Sequence, residues 1–71
     1  MEHTLVLSTV IRSVGYDPGR QVLEIRFRSG SLYAYSNVPA DVAEALLEAP
    51  SVGTYFDAYI RDAGYAYTRV E

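Results

Sequence analysis

The clearest pattern in the chain is the alternation of apolar and charged residues from Gln21 to Arg28. The apolar side chains at positions 23, 25 and 27 alternate with charged ones at positions 24, 26 and 28. This period of two predicts a β-strand with one buried face and one wet or partner-facing side.

A strand is predicted on either side of this one. The first runs from Val10 to Tyr16, and we interpret residues 1–8 before it as an N-terminal tail that either extends a strand or covers the core edge. The turn Asp17–Arg20 joins the first two strands, with a proline that presets φ and with Gly19 expected to accept a positive φ. The third strand is predicted over Leu32–Asn37.

The register of the second hairpin decides which way two tyrosines face. If Ser29-Gly30 forms a two-residue loop, Phe27 pairs with Leu32, and Tyr33 and Tyr35 lie outside the core. If the loop also includes the next serine, Phe27 pairs with Tyr33 and both rings lie on the core face. A slip of one residue exchanges the faces. The shortage of core volume in a small domain favours the second register, because large aromatic residues bury the most area.

Helical spacing replaces the alternation after Val38-Pro39, where proline suits the first position of a helix. Apolar residues at positions 42, 45, 46 and 49 form one stripe, and Pro50 ends this helix. Ser51 is a good N-cap for a second helix over Val52–Ala63, with Gly64 as its C-cap. The alternating segment Tyr65–Val70 could add an edge strand.

These elements predict an α+β fold, in which a three-stranded antiparallel β-meander is followed by two α-helices, with a short C-terminal fourth strand left open. The predicted domain organisation is a tail over residues 1–8 and a single domain over residues 9–70.

Composition narrows the classes of function. The chain has 71 residues, no Cys, one His, six arginines without a lysine, and a net charge of −3. We therefore expect no metal site, no cofactor and no catalysis, because tuned nucleophiles, bases and thiolate ligands are missing. The acidic charge argues against generic phosphate-driven binding of nucleic acids. The apolar runs are too short for a membrane span, and no secretory signal is visible, so a cytoplasmic protein is the expectation.

Three sets of residues are candidate binding sites. In the first set, the strand residues Arg26, Arg28, Tyr33 and Tyr35 would suit single-stranded RNA, with bases on the rings and phosphates on the arginines. This set works only with the two-residue loop.

The second set is the helix start Ser51, Gly53 and Thr54, whose N–H groups and hydroxyls could hold an anion, although an ordinary N-cap is the simpler interpretation. The third set is Arg61 and Arg69 with the tyrosines at 65 and 67 nearby, joined to Arg12 if the last strand pairs with the first. The simpler interpretation of Arg61 is an i,i+4 ion pair with Asp57. His3, in the predicted tail, is assigned no role.

The order and spacing of short motifs resemble the KTSC domain over roughly residues 8–70. The motifs that carry the resemblance are Ile11-Arg12-Ser13-Val14-Gly15-Tyr16-Asp17, Phe27-Arg28-Ser29-Gly30, Tyr33-Ala34-Tyr35, Val38-Pro39, Ala45-Leu46-Leu47, Ala49-Pro50-Ser51, Gly53-Thr54-Tyr55-Phe56, Ile60-Arg61 and Tyr65. The family often has Lys where this chain has Val52, which removes a phosphate-attracting charge.

The resemblance implies a domain of unknown function that occurs at the C-terminus of some lysyl-tRNA synthetases and as small stand-alone bacterial proteins. RNA binding has been suggested for the family, whose central Tyr-x-Tyr is matched by Tyr33 and Tyr35. The leading hypothesis is therefore a non-catalytic module that binds RNA, either tRNA or single-stranded RNA. The alternative is a protein-interaction or homodimerisation module.

Overall fold

A computed structural model describes all residues, 1–71, as one antiparallel five-stranded sheet in the order β1-β2-β3-β4-β5. The strands are β1 (His3–Leu5), β2 (Ile11–Asp17), β3 (Val22–Phe27), β4 (Leu32–Tyr35) and β5 (Tyr67–Arg69). Between β4 and β5 lie the helices α1 (Ala40–Glu48) and α2 (Val52–Tyr59) and a 3-10 turn (Arg61–Ala63). The predicted α+β architecture is confirmed, and the fourth strand left open at the C-terminus is β5.

Within the predicted tail, His3–Leu5 form a strand that pairs with β2, so that His3 lies opposite Gly15. Leu5 and Leu7 do not cover the core edge, because their side chains are exposed. His3 also makes side-chain contacts with distant residues, described below, and Val6, just after the strand, packs partly buried against the core.

A β-bulge at Arg12 shapes the first long strand. The pairing with β3 shifts between Ile11 and Ser13, so that Arg12 is the extra residue and is exposed. A bulge changes which face the following residues meet. Ile11 and Val14, three positions apart, therefore both reach the core.

The second hairpin has neither of the two predicted registers. Ile25 pairs with Tyr33, and the Phe27 N–H donates to the Ser31 carbonyl, so the loop is Arg28–Gly30. Gly30 makes this turn possible with a φ of 102°. The loop is three residues long, as in the favoured alternative, but it begins one residue earlier. Each residue of β3 therefore pairs with a β4 residue two positions earlier than predicted. The displacement is even, so the tyrosines stay on the core face as predicted.

The first turn also differs from the prediction in one detail. The Asp17 carboxylate accepts hydrogen bonds from the N–H groups of Gly19 (3.0 Å) and Arg20 (3.3 Å). The positive φ falls on Gln21, at 54°, and not on Gly19. The side chain of Asp17 thus organises the turn, as aspartate often does.

The helices cover one face of the sheet and enclose the core. The buried apolar residues include Leu23, Ile25, Val38, Leu46, Phe56 and Ile60. Tyr16 anchors the start of α1 by donating its hydroxyl to the Val38 carbonyl at 2.5 Å. Desolvation, followed by the nearby carboxylates of Asp17, Asp41 and Glu44, raises the pKa of the Tyr16 phenol.

The second helix begins as predicted and ends early. The Ser51 hydroxyl accepts from the Thr54 N–H, which confirms the N-cap. Regular helix stops at Tyr59, because Ile60 has φ −122° and ψ −60°, and the chain continues as the 3-10 turn. Gly64 closes this turn in the left-handed region at φ 85°, as predicted for a C-cap. Similarly, β4 ends two residues early because Asn37 has a φ of 61°.

Candidate functional site

The helices leave one end of the covered sheet face open, and a groove of about 440 Å³ lies there. Aromatic residues from four elements or their ends line it: Phe27, Tyr33, Tyr35, Phe56 and Tyr67. Asp57 and Arg61 line its wall. We call this the aromatic groove.

The register of β4 places two rings in the groove. Tyr33 and Tyr35 project from the same face with ring centroids 6.5 Å apart and planes at 23°. Tyr67 pairs with Tyr35 across β4 and β5 and lies 5.7 Å from Tyr33 and 5.5 Å from Tyr35. These separations are typical of favourable aromatic contacts.

Burial divides the rings into a floor and a rim. Tyr35 is 4% exposed and meets Phe56 edge-on at 5.6 Å, so it packs as part of the core. Tyr67 is 61% exposed. An aromatic ring with this much open area can accept a planar ligand by stacking.

The Tyr35 hydroxyl makes no hydrogen bond within the protein. Because no buried side-chain polar atom lacks a partner, this hydroxyl is open to solvent, on the side where Tyr35 lines the groove. Burial raises the pKa of the Tyr35 phenol above its usual 10.0, and the neighbouring Tyr33 and Tyr67 add to the effect. Arg61 acts in the opposite direction. The influence of Arg61 on this phenol agrees with its position on the groove wall.

Two arginines flank the rings. Arg61 makes the predicted i,i+4 ion pair with Asp57, at 3.3 Å, and a further contact with Asp62. Arg69 lies opposite Tyr33 in the sheet, and its guanidinium donates to the Ser31 hydroxyl at 3.2 Å. The structure thus brings members of the first and third candidate sets together.

The rest of the first set lies elsewhere. Arg26 is on the open face of the sheet, where it donates to Glu71 at 2.7 Å and to the Gly30 carbonyl at 2.8 Å. Arg28 is in the hairpin loop and donates to the Ser8 carbonyl at 2.6 Å. Arg26 is separated from the rings by the sheet, because the tyrosines are on the helix-covered face, and the guanidinium of Arg28 is engaged by the Ser8 carbonyl.

The second candidate set forms an adjoining groove of about 380 Å³ between residues 7–10 and the start of α2. The Ser51 hydroxyl bonds the Thr54 N–H at 3.3 Å and the Thr54 hydroxyl at 2.9 Å. A Cβ at Gly53 would lie 3.4 Å from the Ser8 hydroxyl oxygen, so Gly53 lets this segment approach closely. The hydroxyls of Ser51 and Thr54 thus bond one another, as in an ordinary N-cap.

The extension of the third set to Arg12 is wrong. The last strand pairs with β4, so β3 and β4 lie between Arg12 and Arg69. The sheet order places the two arginines on different strands near opposite edges.

His3 was assigned no role, yet it is the centre of a polar network on the open face. Its Nδ1 lies 2.9 Å from the Ser13 hydroxyl and its Nε2 lies 2.8 Å from a Glu24 carboxylate oxygen. A Cβ at Gly15 would come within 2.6 Å of the ring, so the ring lies where only glycine leaves space. The network cross-links β1, β2 and β3.

This network has the atom types of a Ser-His-Glu triad, but its geometry differs from that of a hydrolase. Ser13 is only 6% exposed. The strand that carries it is paired with β1 and β3 on both sides, so its backbone N–H groups are engaged in the sheet. An acyl transfer needs an accessible nucleophile and free oxyanion donors. The arrangement is suited to holding strands together.

Sequence reasoning missed Asp57 and Tyr67 as partners of the Tyr-x-Tyr motif. The available signal was the echo of that motif in Tyr65-Ala66-Tyr67, which marks a second aromatic strand. The structure has no cluster of three His, Cys, Asp or Glu side chains that could hold a metal ion. None of its helices has the length and apolar character needed to cross a membrane.

Comparison with known structures supports the fold. A KTSC domain protein from Yersinia pestis, known from a crystal structure, has a TM-score of 0.92 and 33% sequence identity to this chain. The match covers 99% of this chain and 97% of that one.

Sequence comparison finds relatives of two sizes. An uncharacterized protein of Stutzerimonas stutzeri is 44% identical over 71 residues, the full length of both chains. A lysine–tRNA ligase of Nostoc sp. is 45% identical over 51 residues, which are 72% of this chain and 9% of the ligase. The KTSC domain itself is matched over residues 7–69. The predicted resemblance is confirmed, and the chain belongs to the KTSC domain family.

Proposed function

We propose that this KTSC domain is a non-catalytic RNA-binding module that holds bases of single-stranded RNA in the aromatic groove. The observation that carries the proposal is the open Tyr67 ring beside Tyr33, flanked by Arg61 and Arg69. Aromatic side chains next to arginines are how many proteins bind unpaired bases. The occurrence of a related segment in a lysine–tRNA ligase supports RNA as the ligand class.

The distribution of charge supports base contacts over phosphate contacts. The chain has a net charge of −3, and Arg26 and Arg28 are bonded away from the groove. Arg61 and Arg69 remain beside the rings, and Arg61 is already paired with Asp57 and Asp62, so at most these two arginines can contact phosphates. For two contacts to single-stranded RNA, the slope of log affinity against log salt should be no steeper than about −1.4.

The test is a titration of labelled tRNA and of a short single-stranded RNA at low and moderate salt. Replacing Tyr67 with alanine should weaken binding about 5- to 150-fold, because a stacked base contributes about 1–3 kcal/mol. The matched control is Tyr59→Ala, since Tyr59 is 59% exposed but lies outside the groove. No association at low salt, where phosphate contacts are strongest, would contradict the proposal.

A specific observation favours a second candidate, a homodimerisation or protein-interaction module. Leu5, the last residue of the edge strand β1, is 79% exposed, and Leu7, just after it, is 97% exposed. Exposed apolar side chains beside an unpaired strand edge are typical of interaction surfaces. Sedimentation of the protein and of a Leu7→Ser variant over a wide concentration range tests this alternative, and a monomer throughout would contradict the homodimer.

A further inference from the structure

We infer that the aromatic groove selects guanine among the bases of single-stranded RNA, with Asp57 and Arg61 reading its Watson–Crick edge. This inference rests on the proposed function and adds a ligand preference to it.

The charged groups on the groove wall are paired with one another. One Asp57 oxygen lies 3.3 Å from Arg61 Nη1, and Arg61 Nε lies 3.4 Å from an Asp62 oxygen. Asp57 and Arg61 line the groove, whereas Asp62 does not. A ligand in the groove therefore meets a carboxylate directly beside a guanidinium that is already engaged by a second carboxylate.

Asp57 and Arg61 keep hydrogen-bonding capacity for a ligand. Asp57 is half-exposed, at 52% of its side chain, and its two oxygens are acceptors. The Arg61 guanidinium has five N–H donors and no acceptor. Its contacts with the two carboxylates use only some of these donors. The wall thus offers two neighbouring acceptors followed by a donor.

The four bases differ in the hydrogen-bond donors and acceptors that they would present to this wall. Guanine places the N1–H and N2–H donors side by side and the O6 acceptor next to them, which complements two acceptors and one donor. Uracil puts an oxygen on each side of its single N–H, so a carboxylate would face a lone pair. Adenine and cytosine present one amino group followed by a ring-nitrogen acceptor, which leaves the second Asp57 oxygen opposite a lone pair. Guanine alone satisfies both oxygens.

The negative charge of Asp57 affects which part of an RNA can bind here. A carboxylate on the wall repels phosphates, so it weakens backbone contacts in a chain that is already acidic. The same carboxylate is favourable only toward a ligand that donates hydrogen bonds to it. The Tyr67 ring supplies the stacking surface, and the pair of charged groups supplies the discrimination.

The test compares an oligouridine with the same oligonucleotide carrying one central guanosine, by fluorescence anisotropy. The guanosine should tighten binding about tenfold, as expected for a bidentate contact to a base edge. Replacing that guanosine with inosine, which lacks the N2 amino group, should remove much of the gain. This comparison uses the unaltered protein, so it does not depend on how any variant folds.

The variant Asp57→Asn should abolish the preference for guanosine, because an amide offers one acceptor and one donor in place of two acceptors. Asp62→Asn is the matched control, since Asp62 also contacts Arg61 but lies outside the groove. It should keep the preference.

The outcomes separate this inference from the proposed function. If both oligonucleotides bind equally, the inference is overturned and RNA binding stands. If neither binds at low salt, the proposed function fails. If guanosine monophosphate binds as tightly as the guanosine-containing oligonucleotide, the ligand is a free nucleotide, and selection within RNA is overturned.

Discussion

The two faces of the sheet differ in what they leave open to a ligand. On the open face, His3 is bonded to Ser13 and Glu24, and Arg26 is bonded to Glu71, so the polar groups satisfy one another. On the helix-covered face, the aromatic groove has an open ring at Tyr67. The polar groups of the open face are already bonded to one another, whereas the open ring of the groove is available to a ligand. The difference directs the search for function to the groove, although the open face carries more conspicuous polar chemistry.

The largest effect should come from the floor of the groove. Tyr35→Ala should lower the free energy of unfolding by about 3–5 kcal/mol, as expected for truncating a buried aromatic residue. Tyr67→Ala should lower it by only about 1 kcal/mol, because the ring is largely at the surface and loses only its contacts with Tyr33 and Tyr35. Urea denaturation measures both. Equal losses would contradict the division into floor and rim.

A substitution on the open face should have the next largest effect. Gly15→Ala should cost about 1–3 kcal/mol, because its Cβ would come within 2.6 Å of the His3 ring. His3→Ala removes the obstructing ring, so the double variant should lose less stability than the sum of the two single variants. Strict additivity in denaturation experiments would show that the ring does not lie over Gly15.

The floor of the groove also predicts a pH dependence. The pKa of the Tyr35 phenol is raised in the folded state, so folding favours the neutral form. The stabilisation is complete below pH 10, the unfolded value, and is lost as the pH rises through the folded pKa. Tyr35→Phe should therefore show a shallower fall of stability above about pH 10 in thermal melts. An unchanged alkaline profile would contradict burial of this phenol.

The smallest effect is expected from the exposed ion pair of the open face. Arg26→Gln should change stability by less than about 1 kcal/mol, since Glu71 is largely in water and salt screens such pairs. The same variant should leave RNA affinity unchanged, because Arg26 is on the face opposite the groove. A clear loss of RNA binding in a titration would instead place the ligand on the open face.

Local patterns predicted most of the fold, and long-range pairing explains what they missed. The alternation in β3 and the cap at Ser51 are properties of short segments, so they could be identified from the sequence. The contact of His3 with Glu24 joins residues 21 positions apart, and no local signal marks it.

The candidate site was predicted in pieces for the same reason. Arg61 and the two tyrosines of β4 were named, but their assembly with Tyr67 depends on the register of β5 against β4. The hairpin loop was misplaced by one residue because several residues near Gly30 suit a turn. The core orientation of the rings was nevertheless predictable from the need for apolar volume.

The exposure of the last strand has a consequence for how such a domain can diversify. All three residues of β5 are exposed, whereas the core lies in the preceding strands and helices. Substitutions in β5 can therefore alter the rim of the groove with little cost to folding. A single scaffold could acquire new ligand preferences by drift in its outermost strand, and libraries randomised at Tyr67 and Arg69 would be an efficient starting point for engineering them.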